Sequence, residues 1–403
     1  MPAITETMQL SSLLEKFNEP ETLKMAKLGR ELRAKGADVI DLSLGEPDFD
    51  TPQHIKEAAK KAIDDNFSHY TPVAGYPDLR EAVCTKLKRD NNLDYKPENI
   101  VVSTGAKQSL ANIVLSVVDA GDEVIIPAPF WVTYSELVKI AGGVPVILPT
   151  TMAGNYKITP QELEESITER SKLFLFSSPC NPSGSVYSKK ELEGLAIVFS
   201  KHPELLIISD EIYEYINFVG KHESIAQFND IKDRVIIVNG LSKGFAMTGY
   251  RLGYIAANTT IAKACEKIQG QFTSGANAVT QRAAIVALTA DLKPSMEMTK
   301  EFERRRKRVM ELIAEIPGWK CARPDGAFYV FPEVDSYFGK TDGIQTIENA
   351  DDFCMYLLNN AHVSTVTGRA FGSPKCIRLS FANSLPKIEI AYQRIKDVLA
   401  KLK

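Results

Sequence analysis

The chain has 403 residues and a formal net charge of −3, with 44% hydrophobic and 25% charged residues. These values are typical of a globular protein with a sizeable core rather than a disordered chain. At roughly 150 residues per domain, the length predicts two to three domains. Because the balance is slightly acidic, no surplus of basic side chains is present to neutralise a phosphate backbone, and we expect no nucleic-acid partner.

The six cysteines and five histidines show none of the spacings that hold zinc or a disulfide framework. We therefore predict no metal site, and the scattered single thiols suit a reducing compartment. Residues 1–17 carry no apolar segment behind a basic start, and no run approaches ~18 apolar residues. The sequence thus predicts a cytoplasmic protein with no signal peptide and no membrane contact.

In chain order, the first ~45 residues have helical character and end at a turn rich in Gly, Pro and Asp, DLSLGEPDFDTP. Seven short apolar runs follow, at 100–103, 124–126, 145–148, 173–176, 206–209, 235–238 and 254–256. Most are rich in β-branched residues and apolar on both faces, which is typical of strands buried between two helix layers. They predict one large α/β domain with a seven-stranded, mainly parallel sheet.

The pattern changes after about residue 285. The charged, amphipathic stretch 293–316 predicts one long helix. A second α/β segment follows, with apolar runs at 328–331 and 377–382. We predict a small domain built from both chain ends, residues 1–45 and 291–403, and a large domain at 46–290.

Two polar residues follow predicted strands, where ligands bind in open α/β sheets. Asp210 comes directly after the run 206–209, and a helix N-cap is the alternative role for an acid there. Lys243 lies between Ser242 and Gly244 after the run 235–238. Lysine forms Schiff bases because burial readily lowers its pKa, but a solvated loop lysine is the competing interpretation.

Further candidates bind anions. Gly105, Ala106 and Lys107 open a predicted helix, where free N–H groups attract anions and a cation opposes the helix dipole. Asn181 lies in a loop made rigid by two prolines and a glycine. Arg251 and Arg378 are able to form bidentate anion contacts, although each taken alone also fits an exposed surface arginine.

Four patterns occur in one order between Leu42 and Arg378: LSLGEPDF, NPSG, a DEIY after a strand, and NGLSKGFAMTGYRLG. In this order and spacing the chain resembles the class I/II aminotransferases, which are fold-type I enzymes that use pyridoxal 5′-phosphate (PLP). The resemblance covers nearly the whole chain. It implies the fold-type I architecture and transfer of an amino group from an amino acid to a 2-oxo acid.

The resemblance also implies roles at the cofactor ring. Lys243 would carry PLP as a Schiff base and later move a proton at the substrate's α-carbon. Asp210 would pair with the ring nitrogen and keep it protonated, so that the ring can withdraw electrons. Tyr213 and Asn181 would hydrogen-bond the 3′-oxygen, and Trp131 would stack on the ring.

The phosphate of PLP would lie on the backbone at the start of the predicted helix, with Ser242 and Arg251 adding donors and charge. The backbone residues are Gly105, Ala106 and Lys107. Tyr70 would reach the phosphate across a subunit interface, which is why the resemblance implies a homodimer.

At the substrate, Arg378 would clamp the α-carboxylate, the Gly45 backbone would close over it, and Asn181 and Trp131 would lie close by. Within the family the chain resembles most the aspartate aminotransferases of bacteria and plant plastids, several of which also act on prephenate. Thr22 and Lys107 occupy positions that contact the distal carboxylate in that branch. The implied substrates are aspartate, glutamate, oxaloacetate and 2-oxoglutarate.

Two departures from that branch are present. Asn18-Glu19-Pro20-Glu21 stands where a Lys-Pro-Ser-type run usually precedes the threonine, and acidic side chains in the pocket would oppose an acidic substrate. Gly240 stands where some relatives carry a serine that binds the phosphate.

Other classes of protein fit the sequence less well. A PLP-dependent β-lyase, or an aminotransferase for aromatic or neutral amino acids, would share every cofactor residue but would not need Thr22 and Lys107. A nicotinamide dehydrogenase would show a G-x-G-x-x-G after its first buried strand, and none is found. A PLP-binding transcription regulator would need a basic DNA-binding module, and a non-catalytic binding protein would not need Lys243.

Overall fold

The structure is a computed structural model that describes residues 10–403. Residues 1–9 lie outside the described residues. They belong to the segment in which we expect no signal peptide and to the predicted small-domain portion 1–45. Twelve strands of the described chain are numbered in order: β1 Ile40–Asp41, β2 Ile100–Ser103, β3 Glu123–Pro127, β4 Val144–Leu148, β5 Ser171–Ser177, β6 Leu206–Asp210, β7 Val235–Gly240, β8 Gly253–Ala256, β9 Tyr329–Val330, β10 Val363–Ser364, β11 Val366–Thr367 and β12 Ile377–Ser380.

Twelve α-helices of residues 10–403 are numbered in the same way. They are α1 Glu21–Ala34, α2 Gln53–Asp64, α3 Pro77–Asn91, α4 Ala106–Val117, α5 Thr133–Ile140, α6 Pro160–Ser166, α7 Lys189–Lys201, α8 Thr259–Phe272, α9 Ala278–Thr289, α10 Lys293–Ala314, α11 Ala350–Tyr356 and α12 Leu385–Leu399. The 22-residue α10 is the long helix that the charged stretch predicts.

All seven apolar runs between 100 and 256 form strands of one sheet, in the order β2-β8-β7-β6-β5-β3-β4. Every neighbouring pair is parallel except the two pairs that β8 makes with β2 and β7. The predicted seven-stranded, mainly parallel sheet is therefore confirmed. Its single reversed strand follows β7 after a short connection that carries Lys243.

Both faces of this sheet are largely buried except at the edge strand β4, whose residues are partly exposed or exposed. Successive residues of a strand point to opposite faces, and alternate residues of β7 enter two separate apolar clusters. Val235 and Ile237 pack with side chains of α2, α3, α7 and α9, whereas Ile236 and Val238 pack with side chains of α4, α5 and α8. The continuous apolar runs in the sequence follow from this two-sided burial.

A third apolar cluster joins the two ends of the chain. It contains side chains of α1 and β1 from the first 42 residues and side chains of α10, α11, α12 and β9 from the last 110. β1 pairs with β10 in parallel, and β9, β12 and β11 form a small antiparallel sheet. This arrangement agrees with a small unit built from both chain ends, while the boundaries at 45 and 290 stay a prediction.

Within residues 10–403, no helix has the combination of length and hydrophobicity that crossing a membrane requires.

Candidate active site

A cavity of about 330 Å³ opens outside the carboxyl ends of β5, β6 and β7. This is the edge at which open α/β sheets bind ligands. Fourteen residues are predicted from the sequence to form the site, and twelve of them line the cavity: Thr22, Gly45, Ala106, Lys107, Trp131, Asn181, Asp210, Tyr213, Ser242, Lys243, Arg251 and Arg378.

Lys243 lies in the connection between β7 and β8, with its side chain directed into the cavity. Its Nζ donates to the carbonyl oxygen of Gly45. Burial lowers the pKa of Lys243 to about 8 from an ordinary value near 10.5; the carboxylate of Glu46 opposes this shift, and the cations Arg378 and Arg251 add to it. A lysine with this pKa is partly neutral near pH 7.5, as a nucleophilic amine must be. The alternative of a freely solvated loop lysine is wrong.

Asp210 is the last residue of β6 and is buried. Tyr134 Oη donates to Asp210 Oδ2 at 2.6 Å, and the backbone N–H of Ile212 donates to Oδ1 at 3.2 Å. Burial raises the pKa of Asp210 to about 6, while both hydrogen bonds act in the opposite direction. The carboxylate is therefore still largely ionised at pH 7. Since a turn and no helix follows Asp210, the alternative role as a helix N-cap is wrong.

Arg378, in the middle of β12, is only 1% exposed, so the surface interpretation of this arginine is wrong. Its Nη1 donates to Asn181 Oδ1 at 2.9 Å and its Nη2 to the carbonyl oxygen of Ser43 at 2.5 Å. The guanidinium carbon lies 4.5 Å from the ring centroid of Tyr329 and 5.0 Å from that of Phe371. Its Nε is buried without a hydrogen-bond partner among the described residues, so this N–H group is free to donate to a ligand.

Residues 105–106 at the start of α4, with Arg251 and Gly253 packed against them, form a cradle that has no room for extra atoms. Gly105 is its N-cap with φ 85°, in the left-handed region that favours glycine. A Cβ on Gly105 would lie 2.5 Å from Arg251 Nη2, and a Cβ on Gly253 would lie 2.3 Å from the backbone nitrogen of Ala106. Gly105 itself lies behind the cavity wall rather than on it. Arg251 Nη1 donates to the carbonyl oxygen of Thr248 at 2.9 Å.

Lys107 occupies the first turn of α4, as predicted, and its Nζ lies 5.0 Å from the ring centroid of Trp131. Burial, followed by the charge of Arg251, lowers the pKa of Lys107. Thr22, in the first turn of α1, lines the same cavity. The two residues thought to meet a distal carboxylate are thus brought to one cavity from sequence positions 85 residues apart.

The acidic residues near Thr22 do not enter the cavity. Glu21 Oε1 lies 3.5 Å from Lys24 Nζ and 3.9 Å from Arg369 Nη2, so two cations balance its charge outside the cavity. Glu19 is exposed and does not line the cavity either. This departure from the related branch therefore leaves the cavity without an added negative charge.

The structure explains why residue 240 is a glycine. Gly240 faces Gly253 across the antiparallel pair of β7 and β8. A Cβ on Gly240 would lie 2.8 Å from the carbonyl oxygen of Leu252 and 3.0 Å from Gly253 Cα, and backbone atoms cannot give way cheaply. A serine at this position would thus require β8 to move.

The charged side chains that line the cavity are mostly positive. Four cationic side chains line it, Lys107, Lys243, Arg251 and Arg378, against the single carboxylate of Asp210. Among residues 10–403, no carboxylate lies within 4.0 Å of any of the four cations, although the chain as a whole is slightly acidic. Lys243 and Arg378 are at least partly buried, and buried cations without a carboxylate in direct contact favour an anionic ligand.

The sequence profile described as "Aminotransferase class I and II" matches residues 37–395. The chain belongs to this family. It is 45% identical over its full length to a bifunctional aspartate aminotransferase and glutamate/aspartate-prephenate aminotransferase of Petunia hybrida, of which the match covers 85%. It is 42% identical to an aspartate/prephenate aminotransferase of Nitrosomonas europaea, with 98% of this chain and all of the relative covered.

Among solved structures, the chain is similar to the aspartate aminotransferase of Rhizobium meliloti, with a TM-score of 0.95 and 38% identity. That match covers 98% of this chain and all of the other. The family assignment and the fold-type I architecture expected from the sequence are both confirmed. The dehydrogenase alternative is excluded, since class I and II aminotransferases are a different family.

Sequence reasoning missed several side chains of this aminotransferase's cavity. Tyr134 contacts Asp210, as described above, and Tyr329 Oη lies 2.7 Å from Tyr213 Oη. Thr133 Oγ1 is buried with no partner among the described residues and also lines the cavity. Tyr134 follows the predicted site residue Trp131 by three residues, and Tyr329 lies in the apolar run 328–331. Their closeness to a site residue and to an apolar run is the sequence signal that could have identified them.

Tyr70 is the one predicted residue that lies away from the cavity of this aminotransferase. It is 99% exposed and borders a separate, shallow depression together with residues 67–71 and 275–278. A fully exposed tyrosine makes few contacts within its own chain. Its predicted role depends on a second subunit.

Proposed function

We propose that this aminotransferase uses PLP to exchange amino groups between a dicarboxylic amino acid, aspartate or glutamate, and a 2-oxo acid. The observation that carries the proposal is the cavity itself. It holds a lysine of lowered pKa and a buried carboxylate, and its other charged groups are all cations. A cofactor with a phosphate and a substrate with two carboxylates would supply the anionic groups that these cations lack.

The residues present fit PLP. The cradle at Gly105 and Ala106 leaves backbone N–H groups at a helix start, and Arg251 adds a cation beside it, which together suit a phosphate. Asp210 would pair with a cationic ring nitrogen, and such a partner would bring its raised pKa back down. The unpartnered hydroxyl of Thr133 offers one further donor.

Bound PLP would supply an electron-withdrawing ring that stabilises negative charge at the substrate's α-carbon. In our proposal, Lys243 would hold the cofactor and would move the proton at that carbon. Asp210 keeps the ring nitrogen protonated, and Tyr134 keeps Asp210 ionised through its hydrogen bond. Tyr213 and Asn181 would donate to the ring's 3′-oxygen.

Arg378 is the proposed site for the α-carboxylate, because its free Nε and its buried position suit a charged, planar ligand. Lys107 and Thr22 would then meet the distal carboxylate at another part of the cavity. The names of the relatives in Petunia hybrida and Nitrosomonas europaea, which include aspartate and prephenate, support this choice. Prephenate also carries two carboxylates, so we include it among the candidate substrates.

We further propose that the enzyme is a cytoplasmic homodimer in which Tyr70 of each subunit reaches the phosphate bound by the other. The full exposure of Tyr70 in the single chain supports this proposal.

The proposal is tested by the absorbance spectrum of the PLP-loaded protein before and after addition of L-aspartate, without a keto acid. We expect the visible cofactor band to convert to the pyridoxamine form. A band discharged by an aromatic or neutral amino acid but not by aspartate would identify an aminotransferase of different specificity. A band unmoved by aspartate, together with release of ammonia and pyruvate from a cysteine thioether, whose sulfur is a leaving group on the β-carbon, would identify a β-lyase.

A second test of the proposal is the variant Lys243→Ala. This variant should remain folded, as judged by circular dichroism, and should show no aspartate-dependent turnover. Turnover equal to that of the unmodified enzyme would remove Lys243 from the reaction.

A further inference from the structure

We propose that Tyr329 is a positioning residue that joins the carboxylate site to the cofactor site: its ring holds the Arg378 guanidinium, and its hydroxyl donates to Tyr213. This inference rests on the proposed function, because it assigns Tyr213 to the 3′-oxygen of PLP. Tyr329 lies in β9, is 1% exposed, and was not selected by sequence reasoning.

Tyr329 contacts three segments that are distant in sequence. Its hydroxyl lies 2.7 Å from the Tyr213 hydroxyl, and its ring centroid lies 4.5 Å from the guanidinium carbon of Arg378. The hydroxyl also packs against the chain at Gly45, since a Cβ added to Gly45 would lie 2.2 Å from it. Each of these three neighbours lines the cavity, as does Tyr329 itself.

The register of the small sheet sets this position. Tyr329 pairs with Ser380 across the antiparallel strands β9 and β12, and Arg378 lies two residues before Ser380 on the same face of β12. Side chains on one face of neighbouring strands contact each other diagonally. The stacking of Tyr329 on Arg378 is therefore set by the register of β9 and β12.

The direction of the hydroxyl–hydroxyl bond follows from counting protons. A tyrosine hydroxyl has one hydrogen to donate. If Tyr213 donates its hydrogen to the cofactor's 3′-oxygen, the 2.7 Å hydroxyl–hydroxyl contact is a hydrogen bond only when Tyr329 is the donor. Donation into the Tyr213 oxygen polarises that O–H group and makes it a stronger donor, because linked hydrogen bonds strengthen one another.

Replacing Tyr329 by Phe separates the two parts of the proposal, since it removes the hydroxyl and keeps the ring. Tyr213 then becomes a weaker donor to the 3′-oxygen. We expect the midpoint of the pH titration of the visible cofactor band to rise by about half a pH unit. The dissociation constant of succinate, an unreactive dicarboxylate, should stay within about twofold.

Replacing Tyr329 by Leu removes the ring as well. We expect succinate to bind at least about fivefold more weakly, because Arg378 loses the face on which it stacks. Tyr392→Phe is the matched control: this tyrosine is buried in α12, its hydroxyl has no partner among the described residues, and it does not line the cavity. It should change neither the pH midpoint nor succinate binding.

An unshifted midpoint in Tyr329→Phe would overturn the proposal, and this holds even if Tyr329→Leu fails to fold. Unchanged succinate binding by a folded Tyr329→Leu would overturn the part that concerns the ring. Failure of the proposed function looks different, because the unmodified protein would then form no visible band with PLP or show no response to aspartate.

Discussion

Asp210 illustrates the cost of a functional group placed in a protein interior. Burial raises its pKa to about 6 from 3.8, despite the hydrogen bond from Tyr134. A carboxylate whose pKa is higher in the folded than in the unfolded chain binds protons more readily when folded. Folding is therefore penalised progressively as pH rises from about 4 through about 6, and the penalty persists above that range.

We accordingly expect Asp210→Asn to stabilise the cofactor-free protein at pH 7 to 8, by up to about 3 kcal/mol. The gain should shrink as pH falls through 6 and should be nearly absent at pH 4. Urea unfolding at several pH values measures it, with Asp50→Asn as a control, because the Asp50 side chain is 96% exposed. A gain that does not depend on pH would contradict the explanation by ionisation.

Arg378 is also a buried charge, and its unpartnered Nε marks a place for the carboxylate of a substrate. We expect Arg378→Ala to raise KM for every amino acid substrate, by roughly 10- to 100-fold, since the α-carboxylate is common to all of them. Steady-state kinetics with several amino donors measures this, and the exposed Arg30→Ala is the control. A defect confined to dicarboxylic donors would show that the two ends of the substrate are reversed.

At the scale of elements, the site depends on how closely β8 approaches the start of α4. A Cβ on Gly253 of β8 would meet backbone atoms of residues 105–106, and a Cβ on Gly105 would meet the guanidinium of Arg251, so neither glycine can accept an added carbon. The antiparallel pairing of β8 with β2 and β7 fixes this approach, and it also accounts for Gly240. The phosphate cradle is thus formed by strand pairing as much as by the helix start.

Gly253→Ala tests this dependence. The new Cβ would lie 2.3 Å from the backbone nitrogen of Ala106, so β8 or α4 must shift. We expect a loss of about 1–3 kcal/mol in the free energy of unfolding. PLP should also bind more weakly, as measured by titration of the cofactor absorbance. Gly249→Ala is the matched control, because no atom lies within 4 Å of the position that its new Cβ would take, and it should change neither quantity.

At the scale of the whole molecule, one predicted cofactor contact is missing from a single chain. Tyr70 is fully exposed and lies away from the cavity, whereas the other predicted residues form or adjoin the cavity wall. A second subunit that brings its own Tyr70 to this cavity would complete the set. Two-fold symmetry would make the exchange mutual.

We expect sedimentation equilibrium to give twice the mass of the chain. Tyr70→Phe should keep that mass and weaken PLP binding by about ten- to hundredfold, the value of one hydrogen bond to a charged group. A monomer with full PLP affinity, or a dimer whose affinity does not change in Tyr70→Phe, would contradict the proposed exchange.

The sequence by itself determined the seven strands of the main sheet and the long helix α10. Their signals are local: apolar runs for strands buried on both faces, and an amphipathic period for the helix. It also determined most of the candidate site, since Asp210 and Lys243 directly follow strands and the ends of parallel strands meet at one edge. Resemblance to a family added the roles of Tyr70, Thr22 and Arg378, which no local pattern contains.

Only the tertiary structure decided which side chains share hydrogen bonds and which charges remain unbalanced. Tyr134 and Tyr329 reach Asp210 and Tyr213 across separations of 76 and 116 residues. Arg378 resembles a surface residue from its neighbours in sequence, yet it is buried between two rings. Such contacts depend on sheet order and strand register, which arise from the packing of the whole chain and leave no local periodicity to detect.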